Sequence, residues 1–211
     1  MGRFTSILNG FVRAVAKHWL FLTNASTGFL VGLPALAPVL MSAGYLRAAR
    51  LIYTLSAPLC HQLPERSFFL FGRQSFYTLE ELEAWLGPNV PLRYIGDRTL
   101  GYKMAVCERD MATFLAFFLA GLAFALVRRR LPPLPVKAFI VLCLPMAVDG
   151  FGQLLALWDS TWWSRVFSGG LFGVACIWLA YPHIEAGMSQ VRRAMESIDH
   201  PGEAQTEANS F

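Results

Sequence analysis

The chain has 211 residues, 55% of them hydrophobic and only 15% charged, with a mean hydropathy of +0.44. Soluble domains carry about 25% charged residues, so a chain of this size has too little polar surface to hide its apolar side chains from water, and lipid is the expected solvent. A formal charge of +4 does not point to nucleic acid, because the basic residues sit at segment ends and in loops, with no stripe interleaved with aromatics.

In chain order, residues 3–18 read as an amphipathic helix lying at the membrane interface, within an N-terminal segment covering 1–26. The Arg3, Arg13 and Lys17 charges before an apolar run resemble a signal peptide. Pro38 directly after Ala35-Leu36-Ala37 discourages cleavage there; Met41-Ser42-Ala43 is another possible site, and a retained first span is the better reading. The membrane domain is expected over 27–196. Its first apolar stretch is Thr27–Tyr45, 19 residues with Pro34 and Pro38, which should kink it. The second is Met111–Val127, the third runs from about Ala138 to Trp158 with one acid, Asp149, and the fourth from about Val166 to Tyr181. Each approaches the roughly 20 residues that a helix needs to cross about 30 Å of hydrocarbon, and helices are required because lipid satisfies no backbone group. The expected fold is therefore all-α, a bundle of about four transmembrane helices.

Arg128, Arg129, Arg130 and Lys137 place four positive charges in one short connection, where the positive-inside rule is strongest. That loop is expected in the cytoplasm, with both termini, leaving residues 46–106 outside. Trp158, Trp162 and Trp163 then form an aromatic belt at the outer interface. A whole-chain count is neutral: nine of the 18 basic residues fall on each side, although most of the outer nine lie in a long loop where the rule weakens. In that loop Thr78-Leu79-Glu80-Glu81 has the form of a capping box, and Gly87-Pro88 stops the short helix it starts, which predicts a small extracytoplasmic helical cap. The tail 197–211 is polar, without periodicity, and expected to be disordered.

Three polar clusters interrupt this apolar chain: Cys60-His61-Gln62 with Arg66, Cys107-Glu108-Arg109-Asp110, and Asp149 with Gln153, followed by Arg165. Cys107 and Asp110 share a helix face, as do Asp149 and Gln153. With an inside-to-inside threading all three clusters converge on one pocket at the outer membrane face. Asp149 costs about 2.5–3.5 kcal/mol to insert, so it should face the bundle interior with Arg165, Arg109 or Gln153 as partner. It serves there either as a buried ion pair that locks helices or as a functional carboxylate, in an ion or proton path among other roles. Cys143 and Cys176 lie inside apolar runs and read as packing residues.

Cys60, His61, Cys107 and Asp110 form a candidate metal-ligand set, suited to tetrahedral zinc with one position left to water. Adjacent Cys60 and His61 do not easily bind one ion together, so Cys60, Cys107 and Asp110 with His61 behind is an equal arrangement; Met104 and Met111 nearby also suit Cu(I). The spacing lacks a CxxC or HExxH motif. A Cys60–Cys107 disulfide competes, expected if both face an oxidising exterior. Gly169, Gly170 and Gly173 form a small-residue face on the fourth span, read first as internal packing and second as a dimer contact.

Cys60-His61-Gln62 with Arg66-Ser67-Phe68, Cys107-x-Arg109, Asp149-Gly150 with Gln153, and Arg165 with Gly169 and Gly173 resemble a family of small prokaryotic membrane proteins with Cys-His-Gln…Arg-Ser-Phe and Cys-x-Arg-Cys motifs. The resemblance covers roughly residues 50–180. It implies membrane placement and one shared polar site, and brings no activity with it. Asp110 stands where that family often has cysteine, which hardens a metal site toward zinc or iron and removes a CxxC redox couple. Residues 74–102 read as an insertion between the two motifs. The leading reading is a transition-metal site with Cys60, His61, Cys107 and Asp110 as ligands and Gln62, Arg66, Arg109, Asp149, Gln153 and Arg165 around them. The alternatives are an accessory subunit of a larger membrane assembly with a structural polar cluster or disulfide, and a thiol- or carrier-lipid-processing enzyme; catalysis itself is left open. The bilayer is the expected partner, with other membrane proteins or a second copy beside it.

Overall fold

The computed structural model describes residues 2–128 and 130–199. Arg129, counted above in the basic loop, and residues 200–211 of the polar tail lie outside the described residues. Among the described residues there are six α-helices: α1 (Arg3–Ser42), α2 (Leu46–Ser56), α3 (Leu79–Leu86), α4 (Glu108–Val127), α5 (Val136–Leu154) and α6 (Trp162–Asp199). Four of them, α1, α4, α5 and α6, are long and apolar enough to cross a membrane. The bundle expected from hydropathy is the observed fold.

Two helices are longer than their apolar stretches. The N-terminal amphipathic segment and the first apolar run are one continuous helix of 40 residues, about 60 Å long, and α6 runs for 38. No glycine or proline stop separates the amphipathic and apolar parts of α1, so the helix propagates through both. Pro34 and Pro38 sit inside it. Pro38 has no N–H to offer the carbonyl four residues earlier, and the freed Pro34 carbonyl accepts the N–H of Ala105 at 3.2 Å. A defect in the α1 ladder thus becomes the point at which the chain entering α4 is fastened to α1. Ala37 and Ala105 are both fully buried at this seam, with Ala49, Ile52 and Tyr53 of α2.

Between α2 and α4 the cap has its own small core of Phe69, Tyr77, Leu82 and Leu100. The Thr78–Glu81 capping box forms in both directions and starts α3, and Gly87 ends it. The cap is not wholly helical: β1 (Phe69–Leu70), β2 (Gly96–Asp97) and β3 (Gly101–Lys103) make a three-stranded antiparallel sheet in the order β1-β3-β2. Phe69 pairs with Lys103, and Asp97 with Gly101. Strands of two or three residues are too short to show an alternating pattern. Gly101 has φ +83° and its Cβ position collides with the Leu70 carbonyl, so this crossing requires glycine.

In the bundle α6 packs most extensively on α4, α1 covers the same pair, and α5 leans chiefly on α6. Gly169 and Gly173 make the α4–α6 approach possible. A Cβ on Gly169 would stand 2.5 Å from the Arg109 carbonyl, and one on Gly173 2.7 Å from Ala116 Cβ, whereas Gly170 has open space. The small-residue face is thus divided, with two positions used inside the bundle. Asn24 of α1 reaches across to the Gly121 carbonyl at 3.1 Å and accepts from Tyr181 at 3.3 Å, a buried polar tie that hydropathy did not indicate.

Candidate metal centre

Cys60 lies in the loop after α2, and that loop is shaped by Gln62. Gln62 takes φ +57°, a left-handed conformation that costs a non-glycine residue about 1–2 kcal/mol. Its side-chain amide donates to the Tyr53 carbonyl at 2.7 Å and its backbone N–H points at Cys60 Sγ at 3.4 Å. Its carbonyl accepts from the Lys103 ammonium, while Tyr53 OH donates to the Lys103 carbonyl. Lys103 is fully buried, and burial pulls its pKa from 10.5 down to about 8.

Four residues beyond Lys103, Cys107 is the N-cap of α4 with extended backbone. Its N–H donates to Cys60 Sγ at 3.2 Å, and its thiol reaches Asp110 Oδ2 at 3.1 Å, one helical turn on. The Cys60, Cys107 and Asp110 donor atoms all lie within 4.8 Å of one another. Tetrahedral zinc–thiolate bonds of about 2.3 Å put ligand atoms roughly 3.8 Å apart, so this donor set fits a transition metal with small adjustment. Both cysteines are free thiols. The hydrogen bond from the Cys107 thiol, helped by the N–H groups of Gln62 and Cys107, lowers the Cys60 pKa, while donating that bond and being buried raise that of Cys107.

A cavity of about 270 Å³ opens over these atoms, and every sequence-predicted site residue except Asp149 lines it: Cys60, His61, Gln62, Arg66, Cys107, Arg109, Asp110, Gln153 and Arg165. His61 is exposed on its rim and does not join the three-atom ligand group. A second polar cavity of about 550 Å³ between cap and bundle shares Arg66, Gln153 and Arg165 with the first. Phe76 of the cap stacks on Trp162 of α6 beside it, with ring centroids 5.2 Å apart.

Asp149 sits behind this cavity. It pairs with Arg109 and accepts from Ser164 at 2.8 Å, while Gln153 donates to Ser160 at 2.8 Å. Arg165 has a different carboxylate: its Nε stands 2.9 Å from Glu108 Oε2, off the hydrogen-bonding direction, so the contact is one of charge. Glu108, only 1% exposed, did not stand out in the sequence, although it lies inside the Cys107–Asp110 motif. Turned away from the cavity's sulfurs toward α6, it resembles any acid in a helix's first turn. Lys103 gave no signal at all, since a lysine in a loop is ordinarily solvated.

Fold and site together define a multi-pass membrane protein with a polar, thiol-lined cavity at the cap end of its helix bundle. Residues 98–179 match the family described as predicted membrane protein (DUF2085), a stretch that contains Cys107, Asp110, Asp149 and Arg165 and leaves Cys60 and His61 outside. The chain is also similar to the uncharacterized protein MJ1492 of Methanocaldococcus jannaschii, 26% identical over 133 residues, covering 62% of this chain and 67% of that one. No solved structure matches it.

Proposed function

We propose that the protein binds a transition metal, zinc or iron, through Cys60, Cys107 and Asp110, with its cap facing the cell exterior and the Arg128 end of the bundle in the cytoplasm. The observation that carries the reading is the meeting of three donor atoms from two separate chain segments within 4.8 Å. Two thiolates and a carboxylate suit zinc or iron better than Cu(I). The cavity leaves the fourth position open to water, to His61 after a small loop movement, or to a bound molecule. Gln62 fixes the loop bearing Cys60, and the Arg109–Asp149 and Arg165–Glu108 pairs fix the start of α4, so the donors are held by groups that do not themselves ligate.

The adjacent sulfurs also favour a second reading, a Cys60–Cys107 disulfide in an accessory subunit of a larger membrane assembly. Elemental analysis of the detergent-purified full chain, beside a free-thiol count, separates the two. Metal binding predicts about one zinc or iron per chain, lost in Cys60→Ser/Cys107→Ser while the protein still folds. Absence of metal with two thiols missing from the count would overturn it in favour of the disulfide.

A further inference from the structure

At the opposite end of the bundle from the thiol cavity, α1, α4 and α6 enclose a cavity of about 500 Å³ lined by Lys17, Arg128, Glu185, Ser189 and Arg192. Its one carboxylate is fully engaged. Glu185 Oε2 accepts from Trp19 at 2.8 Å and from Arg128 Nε at 2.7 Å, and Oε1 from Arg192 at 3.0 Å and Ser189 at 3.3 Å. Arg192 is further held by the Ala16 carbonyl at 2.8 Å, and Arg128 lies 5.8 Å from the centre of the Trp19 ring. Lys17 is exposed and makes no ion pair among the described residues. Three cations therefore face one acid, and the walls keep an excess of two positive charges around an open space.

Depth says what meets them. Arg128 lies 20 residues from Glu108 along α4, Glu185 lies 23 from Trp162 along α6, and Lys17 lies 25 from Ser42 along α1. At 1.5 Å per residue these are about 30, 35 and 38 Å, at or beyond the edge of about 30 Å of hydrocarbon and inside the 40–45 Å that includes the headgroups. Three helices thus independently bring the cavity to the level of lipid phosphates.

The geometry points to a binding site for the phosphate of an anionic phospholipid, with the Lys17 ammonium and the Arg128 and Arg192 guanidiniums as its donors. Arg128 and Arg192 are prepositioned by Glu185, so little side-chain entropy is lost on binding. The site needs no particular orientation of the protein and is independent of the thiol cavity.

The test is the melting midpoint of the detergent-solubilised full chain, followed by tryptophan fluorescence, during titration with phosphatidylglycerol, phosphatidylcholine or inorganic phosphate. Phosphatidylglycerol should raise the midpoint saturably and phosphatidylcholine should not. Lys17→Ala, an exposed change with no internal bond to lose, should weaken half-saturation about fivefold, while Lys137→Ala, at the same end but outside the cavity, should leave it unchanged. A phosphatidylglycerol response with none to inorganic phosphate assigns the headgroup with its chains; an equal response to free phosphate overturns the lipid assignment and leaves a soluble-anion site. Equal responses to the two lipids, or equal effects of the two substitutions, would overturn the site itself.

Discussion

Arg109 of α4 and Asp149 of α5 form an ion pair between two helices that share few other contacts. The side chains are 15% and 10% exposed, so each charge depends on the other. Asp149→Ala should destabilise the fold by about 3–5 kcal/mol because it strands a buried guanidinium. Arg109→Met/Asp149→Leu, which removes both charges, should recover most of that loss. Melting midpoints in detergent check this, and equal midpoints for single and double variants would show that the stranded guanidinium carries no penalty.

The α4–α6 seam makes a sharper comparison. Gly169→Ala and Gly173→Ala each place a methyl group against backbone or side-chain atoms closer than van der Waals contact allows, and each should cost about 1–3 kcal/mol by overpacking. Gly170→Ala enters open space and should be neutral or slightly stabilising in the helix. Similar losses at all three positions would mean that the face is limited by something other than Arg109, Thr113 and Ala116.

Hydropathy made the four spans legible because lipid demands long uninterrupted apolar helices, and the Thr78–Glu81 box was legible because its chemistry is local. The polar residues from 60 to 165 could be gathered into one pocket on the strength of helix spacing and an even number of crossings. Pairing was not legible. Whether Asp149 meets Arg109 or Arg165 depends on helix rotation, which no spacing rule specifies, and the answer leaves Arg165 to Glu108. The sheet escaped notice because its strands hold two or three residues each, and α2 because its Arg47 and Arg50 made an amphipathic helix look like loop.

Lys103 supplies a pH-dependent prediction. Its folded pKa of about 8 lies below the ordinary 10.5, so between these values the unfolded chain holds a proton that the folded protein does not. Stability from this group therefore rises with pH from about 8 to 10.5. The full shift corresponds to a limit on the order of 3 kcal/mol. Lys103→Met should remove that rise, so the midpoint difference between wild type and variant should shift in favour of wild type as pH increases from 7.5 to 10. A constant difference would show that Lys103 keeps its proton when buried.

Thr78→Ala should cost about 1 kcal/mol, confined to the cap. Hydrogen exchange over residues 79–86 should quicken, while exchange in α4 and α6 stays unchanged. Loss of protection throughout the bundle would instead make α3 part of the membrane core.

One helix does two jobs at once. α4 is the element whose 20 residues match the thickness of the hydrocarbon, and it also presents Cys107 and Asp110, while Cys60 hangs from the cap. A thinner bilayer asks α4 to lean, and leaning swings two donors relative to the third. The spacing of the three atoms is therefore sensitive to the membrane around them, and on the metal-binding reading proposed above the same polypeptide placed among shorter or longer acyl chains would hold a cation with different strength.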